Sequence, residues 1–400
     1  MDDDRQRWSD ETLTVLVLNA GSSSLKFGLF EFGSGIERPL VVGAVDGLGT
    51  PDGKLTLQIP ASPSPQHFGA ADLDEAVKRI VAIASQHAAV NAVGCRVVHG
   101  GPNFHEAIEV TDERLVEIAS LAPLAPLHNA KDVGFIRAAR AAVPDVPVYA
   151  AFDTAFHWNL PLVARRYALS KELVDHEQIR RYGFHGLSYR HVSQFLGPTF
   201  KRVVICHLGN GASVCAVLDG KSIDTSMGMT PLEGLMMGTR SGDIDPGLIL
   251  YLIRERGFSA HEMEEMLEKQ SGLLGVSGIT KDVRELETAK AAGDEDAALA
   301  LDLFCYRVAK YIGAYTVALG GLDALAFTGG IGEHSSQIRS LICDRLTVLG
   351  VDVDQELNLA YNGTDPARVE SPGKVPVWIV PANEELQIAK EVFAALPKAT

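Results

Sequence analysis

The chain has 400 residues, a formal net charge of −15, and 46% hydrophobic and 22% charged residues. This balance is typical of a globular protein, and the length favours two domains. The excess of negative charge argues against nucleic acid or an anionic membrane surface as a partner, because both require a basic patch.

The first predicted elements are strands. LTVLVLN, from Leu13, and LKFGLFEF, from Leu25, are apolar runs separated by a short polar turn. Further strands are predicted at 40–46 and 54–60, and a helix follows whose apolar residues, from Leu73 to Ala84, share one face. Strands at 93–98 and 146–152 then alternate with helices that begin near Glu113 and at Asn129. Strands first and alternation afterwards predict a mixed sheet covered by helices.

The second half opens in the same way as the first. RVVICHLGNGASVCAVLDGKSIDT, from Arg202, again gives strand, turn, strand, turn and strand, which favours an internal duplication over two unrelated α/β domains. Helices are predicted near 261–272, 295–319 and 335–349, with the strand LDALAF before the last of them. The strand VPVWIV leads to a final helix from Asn383.

The five cysteines are an odd number at wide spacing, and several lie in apolar runs. They predict reduced thiols in a cytosolic protein rather than disulfides or a zinc site. Residues 1–12 lack the basic start and apolar stretch of a secretory signal, and we expect them to form a flexible extension. No uncharged apolar run reaches the length of a membrane span.

Three turns rich in small residues, at 19–24, 209–213 and 329–333, each follow an apolar strand. Such turns expose backbone N–H groups to phosphate, although hairpins use the same residue types. None matches the P-loop or the dinucleotide fingerprint. Together they favour a nucleotide cleft between the two halves. Lys26, just beyond the first turn, is either a cation aimed at the phosphates or a solvent-facing strand residue.

Two arginines stand out. Arg96 follows a buried strand, and Arg240 lies between glycines in MMGTRSGDIDPG. An arginine in such a loop is suited to forked binding of a carboxylate or phosphate, and a surface role is the alternative.

Four further side chains have both a functional and a structural interpretation. Asp153 ends an apolar strand, where α/β proteins bind ligands, but it is also a plausible turn residue. His128 and His185 lie in apolar contexts that suit a structural histidine as well as a catalyst. Glu384 suits a metal ligand or the first turn of a helix.

Taken together, ten segments running in order from Val17 to Leu386 resemble the acetate kinase family, within the acetate and sugar kinase, Hsp70 and actin superfamily. The segments are VLNAGSSSLKF, GCRVVHGG, LAPLHN, FDTAFH, RYGFHG, HLGNGAS, MTPLEGLMMGTRSGDIDPG, SGLLGVSG, TGGIGE and PANEEL.

The resemblance implies an α/β fold with a duplicated actin-like ATPase (ribonuclease H-like) β-β-β-α-β-α-β-α core, in two domains around a nucleotide cleft. It implies an N-terminal acceptor and metal domain of 13–156 plus 385–400, and a C-terminal nucleotide-binding domain of 157–384. The implied reaction is the reversible transfer of the ATP γ-phosphoryl group to acetate, which gives acetyl phosphate and ADP. Mg²⁺ is the expected cofactor, with Mn²⁺ as an alternative. The implied assembly is a cytoplasmic homodimer, and helix 299–319 is either its interface or a core helix.

The resemblance also implies residue roles. The expected metal ligands are Asn19 and Glu384. The expected catalytic residues are Arg96, His128, Asp153, His185 and Arg240. The expected acceptor pocket consists of Arg96, Val98, Leu127, Phe184 and Pro231. The expected nucleotide-binding residues are Ser22, Ser24, Lys26, His207, Leu208, Gly209, Asn210, Gly211, Asp282, Val283, Arg284, Gly330, Ile331, Gly332, Glu333 and His334. Leu187, Lys281 and His334 depart from the usual family residues, which bears on affinity or nucleotide preference more than on the chemistry.

The acceptor chemistry explains the arginines. A carboxylate is already ionised at neutral pH and needs no general base, but it must approach a polyanionic phosphate. Arginine, lysine and Mg²⁺ counter that repulsion. We therefore interpret Asp153 as a group that orients an arginine or a metal-bound water.

The alternatives are a propionate or other short-chain acyl kinase, a sugar kinase, and an ATP-driven binding protein of the Hsp70 or actin type. The arginine motifs favour a carboxylate acceptor, and Val98 favours a small one.

Overall fold

The computed structural model describes residues 12–21, 24–33, 35–60, 64–69, 71–125 and 129–397. These residues form two compact units. Unit 1 comprises the described residues within Met1–Ala155 and Asn383–Thr400, and unit 2 comprises Phe156–Ala382. Residues 1–11 of the expected N-terminal extension lie outside the described residues.

Unit 1 is built on one mixed sheet. Its strands are β1 (Leu13–Ala20), β2 (Ser24–Gly33), β3 (Ile36–Asp46), β4 (Lys54–Ile59), β5 (Gln66–His67), β6 (Ala92–Val97), β7 (Ile108–Glu109) and β8 (Val148–Phe152). Their order across the sheet is β5-β4-β3-β2-β1-β6-β8-β7. The helices among these strands are α1 (Leu73–Ser85), α2 (Asp112–Ser120) and α3 (Asn129–Ala142), with a 3-10 helix at Ala122–Leu124.

The local sequence explains the central elements of unit 1. β1 is a continuous apolar run because it is buried on both faces, and Val15 and Leu18 are almost fully inaccessible. α1 begins where the Asp72 side chain accepts the Glu75 N–H, and it buries a stripe that includes Val77 and Ile80.

Unit 2 has a six-stranded mixed sheet and most of the helices. Its strands are β9 (Arg202–Leu208), β10 (Ala212–Leu218), β11 (Lys221–Thr225), β12 (Ala324–Thr328), β13 (Ala367–Arg368) and β14 (Val377–Ile379), in the order β11-β10-β9-β12-β14-β13. Its helices are α4 (Leu162–Arg165), α5 (Lys171–His176), α6 (Gly186–Leu196), α7 (Pro246–Arg256), α8 (Ala260–Lys269), α9 (Gly272–Ser277), α10 (Val283–Ala291), α11 (Glu295–Leu319), α12 (Gly329–His334), α13 (Ser336–Cys343) and α14 (Gln355–Ala360). Its 3-10 helices are Ala155–His157 (whose first residue belongs to unit 1), Gly197–Thr199 and Asp344–Leu349.

The final helix, α15 (Glu384–Ala395), returns to unit 1. Its residues Ile388 and Val392 are fully buried in this unit. A Cβ atom on Gly94 of β6 would lie 2.9 Å from a methyl carbon of each of them. Glycine at this position therefore allows the helix to pack closely on the sheet.

The two units share one strand order. β3-β2-β1-β6-β8 in unit 1 corresponds to β11-β10-β9-β12-β14 in unit 2. In both, the first three strands in sequence pair antiparallel, whereas β6 and β8 in unit 1, and β12 and β14 in unit 2, extend the sheet in parallel from β1 and β9. The duplicated α/β core predicted from the sequence is confirmed at the level of topology.

Three local predictions were wrong. The segment 329–333 is the first part of helix α12 and not an open turn. The helix predicted at 261–272 ends at Lys269, because Gly272 adopts a positive φ of 64° and starts the separate helix α9. The helix predicted at 335–349 ends at Cys343 and continues as a 3-10 helix.

The cysteines are all free and buried, and burial raises the pKa of the Cys95 thiol to about 12. None of the helices in the described ranges has both the length and the apolar character needed to cross a bilayer.

Candidate active site

A buried arginine–aspartate pair lies at the end of the central strands of unit 1. Arg96 lies in β6, and Asp153 follows β8, the parallel neighbour of β6. Arg96 donates from Nε to Asp153 Oδ1 at 3.0 Å and from Nη2 to Oδ2 at 2.5 Å. The Asp153 side chain is 2% exposed and that of Arg96 17%. This is a bidentate fork, which fixes the guanidinium plane and leaves Nη1 outside the pair.

Burial and charge act against each other in this pair. Burial raises the pKa of Asp153 to about 6, although the Arg96 charge and hydrogen bonds favour the ionised carboxylate. Burial alone would lower the pKa of Arg96, but the attraction of Asp153 and Glu384 raises it instead. The arginine therefore remains charged beside its carboxylate partner.

Two polar residues of α3 hold the backbone that follows Arg96. Asp132, 4% exposed, accepts the Val98 N–H at 2.9 Å. Asn129, fully buried, accepts the His99 N–H at 3.1 Å and donates to the His99 carbonyl at 3.0 Å. The sequence prediction missed both residues. A carboxylate on the buried face of a helix was the available signal, because such a group needs a partner.

An amide and two carboxylates meet at the start of α15. Asn19, at the end of β1, donates from Nδ2 to Glu384 Oε2 at 3.1 Å and to Glu385 Oε1 at 2.8 Å. An amide oxygen and carboxylates are hard ligands, and Mg²⁺ commonly takes only one or two of them because water and phosphate fill its other positions. These groups therefore fit a divalent cation. Glu385 was not predicted as part of this cluster.

In unit 2, Arg240 and His185 converge on the turn after β9. A Cβ atom on Gly211 would lie 3.5 Å from His185 Nε2 and 3.7 Å from Arg240 Nη1. Arg240 donates to the Pro231 carbonyl at 3.3 Å and lies 3.8 Å from Met237 Sδ. Within the described chain, no carboxylate lies within salt-bridge distance of Arg240, and burial lowers its pKa. The sequence placed these residues far apart along the chain, and the fold brings them together.

The orientation of His185 is set by its backbone and its neighbours. It caps α6 with a left-handed conformation of φ 57°. Its Nδ1 lies 2.8 Å from Ser213 Oγ, and its ring stacks on His207 at 4.2 Å between centroids. His207 in turn contacts Ser188 Oγ through Nδ1 at 2.8 Å. Phe184, immediately before His185, is buried.

A pocket of about 620 Å³ in unit 2 is lined by eight of the thirteen nucleotide-binding residues predicted in that unit. The eight are Gly209, Asn210, Asp282, Val283, Arg284, Gly330, Ile331 and His334. Lys281, Glu287 and Ser335 also line it, and Glu287 accepts a hydrogen bond from Ser335 Oγ at 2.5 Å. Glu287 and Ser335 were missed, because nothing in their local sequence distinguishes them from ordinary helix residues.

Five predicted nucleotide residues of unit 2 are not among the lining residues of this pocket: His207, Leu208, Gly211, Gly332 and Glu333. Glu333 accepts the backbone N–H groups of Gly329 at 2.8 Å and Ala382 at 2.9 Å. These contacts give Glu333 a structural role at the start of α12. Of the departures from the family pattern, Lys281 and His334 line the pocket, whereas Leu187 is buried in α6.

The remaining predicted residues lie in or next to unit 1 elements. Ser24 begins β2, and its carbonyl accepts the Gly21 N–H at 2.8 Å. Lys26 is exposed on β2, opposite Asn19 of β1. Ser22, Leu127 and His128 lie outside the described residues.

The chain matches the family model described as the acetokinase family over residues 14–390. The chain belongs to the acetokinase family. A relative from Deinococcus radiodurans named acetate kinase is 46% identical, with 94% of this chain and 96% of that protein covered. One from Phocaeicola vulgatus, also named acetate kinase, is 43% identical over 96% of this chain and 100% of that protein.

Two solved structures of similar proteins have the same fold. A propionate kinase from Francisella tularensis has a TM-score of 0.86 at 38% identity, with 95% of this chain and 98% of that chain covered. The Porphyromonas gingivalis acetate kinase has a TM-score of 0.84 at 38% identity, with 96% of this chain and 100% of that chain covered. The family resemblance and the α/β actin-like fold class expected from the sequence are both confirmed.

Proposed function

We propose that this chain is an acetate kinase, a phosphotransferase with a carboxyl group as acceptor, which transfers the γ-phosphoryl group of ATP reversibly to acetate by direct in-line transfer. The observation that carries the proposal is the Arg96–Asp153 fork in a chain of the acetokinase family. The fork presents a fully charged, oriented guanidinium, and its Nη1 is suited to bind a small carboxylate. A neutral sugar hydroxyl would not require a charged guanidinium as its partner.

Val98 and Phe184, with Pro231, are proposed to wall the methyl group of the acceptor. Val98 and Phe184 are both buried, and the Val98 backbone is held by Asp132. Leu127, the fourth proposed member, retains its role as a prediction from the family pattern. Bulky apolar side chains around the acceptor would favour a short acyl chain.

The pocket of unit 2 is proposed to hold ATP. It is large enough for a nucleoside, and the Gly209–Asn210 turn and the start of α12 supply backbone N–H groups to its lining. Asp282 and Arg284 form an exposed bidentate pair at its rim, with contacts of 3.0 and 2.5 Å. Ser24 and Lys26 of unit 1, and Ser22, are proposed to contact the phosphates.

Arg240 and His185 are proposed to act on the transferring phosphoryl group. Arg240 has no carboxylate partner among the described residues, so an anionic ligand would relieve its desolvation. His185 Nε2 faces the same turn. Donors placed in advance around developing negative charge lower the barrier, because they need no reorganisation during the reaction. His128 is proposed for the same set from the family pattern.

Asp153 is proposed to orient Arg96 and not to move a proton. Both of its oxygens are engaged by the Arg96 guanidinium. An acetate acceptor is ionised already and offers no proton to remove. Asn in place of Asp153 keeps one acceptor for Arg96 and should retain measurable activity.

Asn19 and Glu384 are proposed to hold Mg²⁺, or Mn²⁺ as an alternative, together with Glu385. The bound ion would neutralise phosphate charge. Asn19 fixes the two carboxylates by donating to both of them. Loss of Asn19 should therefore weaken metal binding through the orientation of the glutamates as well as through its own oxygen.

The direct test is the formation of acyl phosphate, trapped as the hydroxamate, with ATP, Mg²⁺ and formate, acetate, propionate or butyrate. We expect the highest kcat/KM with acetate. Because the Francisella tularensis relative is named a propionate kinase, a preference for propionate is the second candidate. No product from any of these acids, together with phosphorylation of glycerol or a hexose, would refute the assignment.

The enzyme is proposed to act as a homodimer in the cytoplasm. Helix α7 has an apolar sequence, yet Leu250, Tyr251 and Ile253 are between 40% and 55% exposed and no residue of this helix is buried. An exposed apolar helix of this kind is typical of an interface. Helix α11, for which the sequence left an interface role and a core role open, buries ten of its residues in unit 2, which favours the core role.

Light scattering during gel filtration tests the dimer. We expect twice the chain mass for the wild type and a monomer for a variant with Leu250→Glu and Ile253→Glu. Val163→Glu is the matched control, since Val163 is 90% exposed and lies on a different helix. A monomeric wild type would contradict the proposal.

A further inference from the structure

Ser213 of β10 joins His185 to a buried tyrosine of α6. Its Oγ lies 2.8 Å from His185 Nδ1 and is also hydrogen-bonded to the Tyr189 hydroxyl. Ser213 and Tyr189 are both fully buried. The three side chains therefore form a short chain of hydrogen bonds that runs from the interior of unit 2 to His185.

The direction of this chain follows from the donors available. Burial raises the pKa of Tyr189 well above its usual value, so the phenol keeps its hydrogen. Ser213 Oγ is hydrogen-bonded to that phenol, and its hydroxyl oxygen can accept the phenol hydrogen. A serine hydroxyl has one hydrogen of its own, which is then directed at the other neighbour, His185 Nδ1.

The reverse direction is less favourable. It would require His185 Nδ1 to donate to Ser213 and Ser213 to donate to Tyr189. The phenol, a stronger acid than an aliphatic hydroxyl and therefore the better donor, would then have its hydrogen directed away from Ser213 in the interior. A buried polar hydrogen without an acceptor is costly.

If Nδ1 accepts from Ser213, the ring hydrogen of neutral His185 is on Nε2. Nε2 is the atom nearest the Gly211 turn, where Arg240 Nη1 also converges. Stacking on His207 and the left-handed backbone at His185 keep the ring in that direction.

We propose that Tyr189 and Ser213 are positioning residues that hold His185 as the Nε2–H tautomer, so that His185 and Arg240 both present N–H donors to one site. The role of that site as the place of phosphoryl transfer rests on the function proposed above. The tautomer itself does not. Neither Tyr189 nor Ser213 needs to touch substrate in order to act.

The tautomer can be measured without any substrate. In full-length protein labelled with ¹⁵N-histidine, long-range proton–nitrogen correlation spectra distinguish Nε2–H from Nδ1–H rings. The His185 signals are assigned by their loss in His185→Asn. We expect the Nε2–H pattern in the wild type and a changed His185 pattern in Ser213→Ala and in Tyr189→Phe. Tyr182→Phe is the matched control, because it removes a buried phenol that donates to the Gln178 carbonyl.

Two spectroscopic outcomes would overturn the inference. One is a wild-type His185 that carries its hydrogen on Nδ1. The other is a His185 pattern that is the same in the wild type, in Ser213→Ala, in Tyr189→Phe and in the control Tyr182→Phe. Ser213→Thr keeps the hydroxyl and should restore the wild-type pattern.

Kinetics connect the tautomer to the reaction. We expect kcat to fall roughly tenfold in Ser213→Ala, less than the roughly 10²–10³ for removal of a whole donor, with KM little changed. The fall should be smaller in Tyr189→Phe. In a His185→Asn background, Tyr189→Phe should cause no further fall in kcat. If kcat fell there by the same factor as in the wild-type background, Tyr189 could not act through His185. An inactive wild type with the Nε2–H pattern would count against the proposed function and leave the tautomer assignment intact.

Discussion

Arg96 and Arg240 are the same side chain in two opposite settings. In unit 1, Arg96 is held by a carboxylate that takes two of its hydrogen bonds, and its charge is compensated within the fold. In unit 2, Arg240 contacts a carbonyl and a thioether sulfur, and the described residues supply no ion-pair partner for it. The first arginine is stable and oriented before any ligand binds. The second has no direct ion pair among the described residues and is attracted only at longer range by Glu268, so a phosphate would add to its compensation.

The contrast predicts that Arg96 contributes to stability as well as to acceptor binding, whereas Arg240 contributes mainly to catalysis. Removing one partner of a buried ion pair leaves a buried charge behind, so Arg96 should matter to folding as well as to the acceptor. Removing a desolvated cation without a partner should cost the fold little. The following predictions test this difference.

The largest effect is expected for Arg240→Ala. It should lower kcat by roughly 10³, about 4 kcal/mol in the barrier, because a donor for the transferring phosphoryl is lost. The free energy of unfolding should stay equal or rise, since burial disfavours the charged guanidinium. Steady-state kinetics and urea unfolding measure the two quantities. A large loss of stability with little change in kcat would reverse the comparison.

Arg96→Ala should show the opposite balance. It leaves Asp153 buried without its partner and should lower the free energy of unfolding by about 3–5 kcal/mol near neutral pH. The loss should shrink at acidic pH, where Asp153 is protonated. KM for acetate should rise. The double variant Arg96→Ala with Asp153→Asn removes the stranded charge and should recover part of the stability. Additive losses would argue that the pair is not coupled.

Asp132 provides a pH test of the unit 1 scaffold. Burial raises its pKa to about 6, against about 3.9 for an unfolded aspartate. The folded protein then keeps a proton that the unfolded chain releases, so this group makes the free energy of unfolding fall as pH rises from about 4 to about 6. The contribution is about 3 kcal/mol. The difference between wild type and Asp132→Asn should change across this window and be flat above it. A constant difference would contradict the shifted pKa.

The smallest effect is expected for Arg284→Ala. Its side chain is 86% exposed, and its ion pair with Asp282 is at the surface. Such pairs contribute roughly 0–1 kcal/mol to stability. KM for ATP should rise a few-fold with kcat unchanged, as judged from steady-state kinetics. A loss of kcat as large as that of Arg240→Ala would show that charge at the pocket rim matters as much as charge at the Gly211 turn.

Local patterns predicted much of the fold. β1, β9 and β12 are apolar runs because both faces are buried, whereas α1 is recognised from the apolar stripe on one side of the helix. The helix boundaries that depend on backbone conformation were harder to predict from the sequence. Gly272 and Gly329 both adopt positive φ, and each begins a short helix that the pattern of apolar residues does not reveal.

The residues of the candidate site likewise fall into two groups, those predicted from the sequence and those that were not. Arg96, Asp153, His185 and Arg240 were singled out because their types and motifs are distinctive. Asp132, Glu385 and Ser213 were not, because their residue types are ordinary at their positions and their roles depend on contacts that the fold creates. Asn19 and Glu385 are 366 positions apart, and their hydrogen bond exists only because α15 returns to unit 1.

The sequence by itself determined the strand-forming segments, the duplication and the family, since these depend on residue types in order along the chain. The tertiary structure decided the electrostatic state of each arginine. Whether a guanidinium is compensated depends on which carboxylate lies within a few ångströms and on how much water is excluded. Asp153 lies beside Arg96 because β6 and β8 are parallel neighbours, whereas no carboxylate of the described chain lies that close to Arg240.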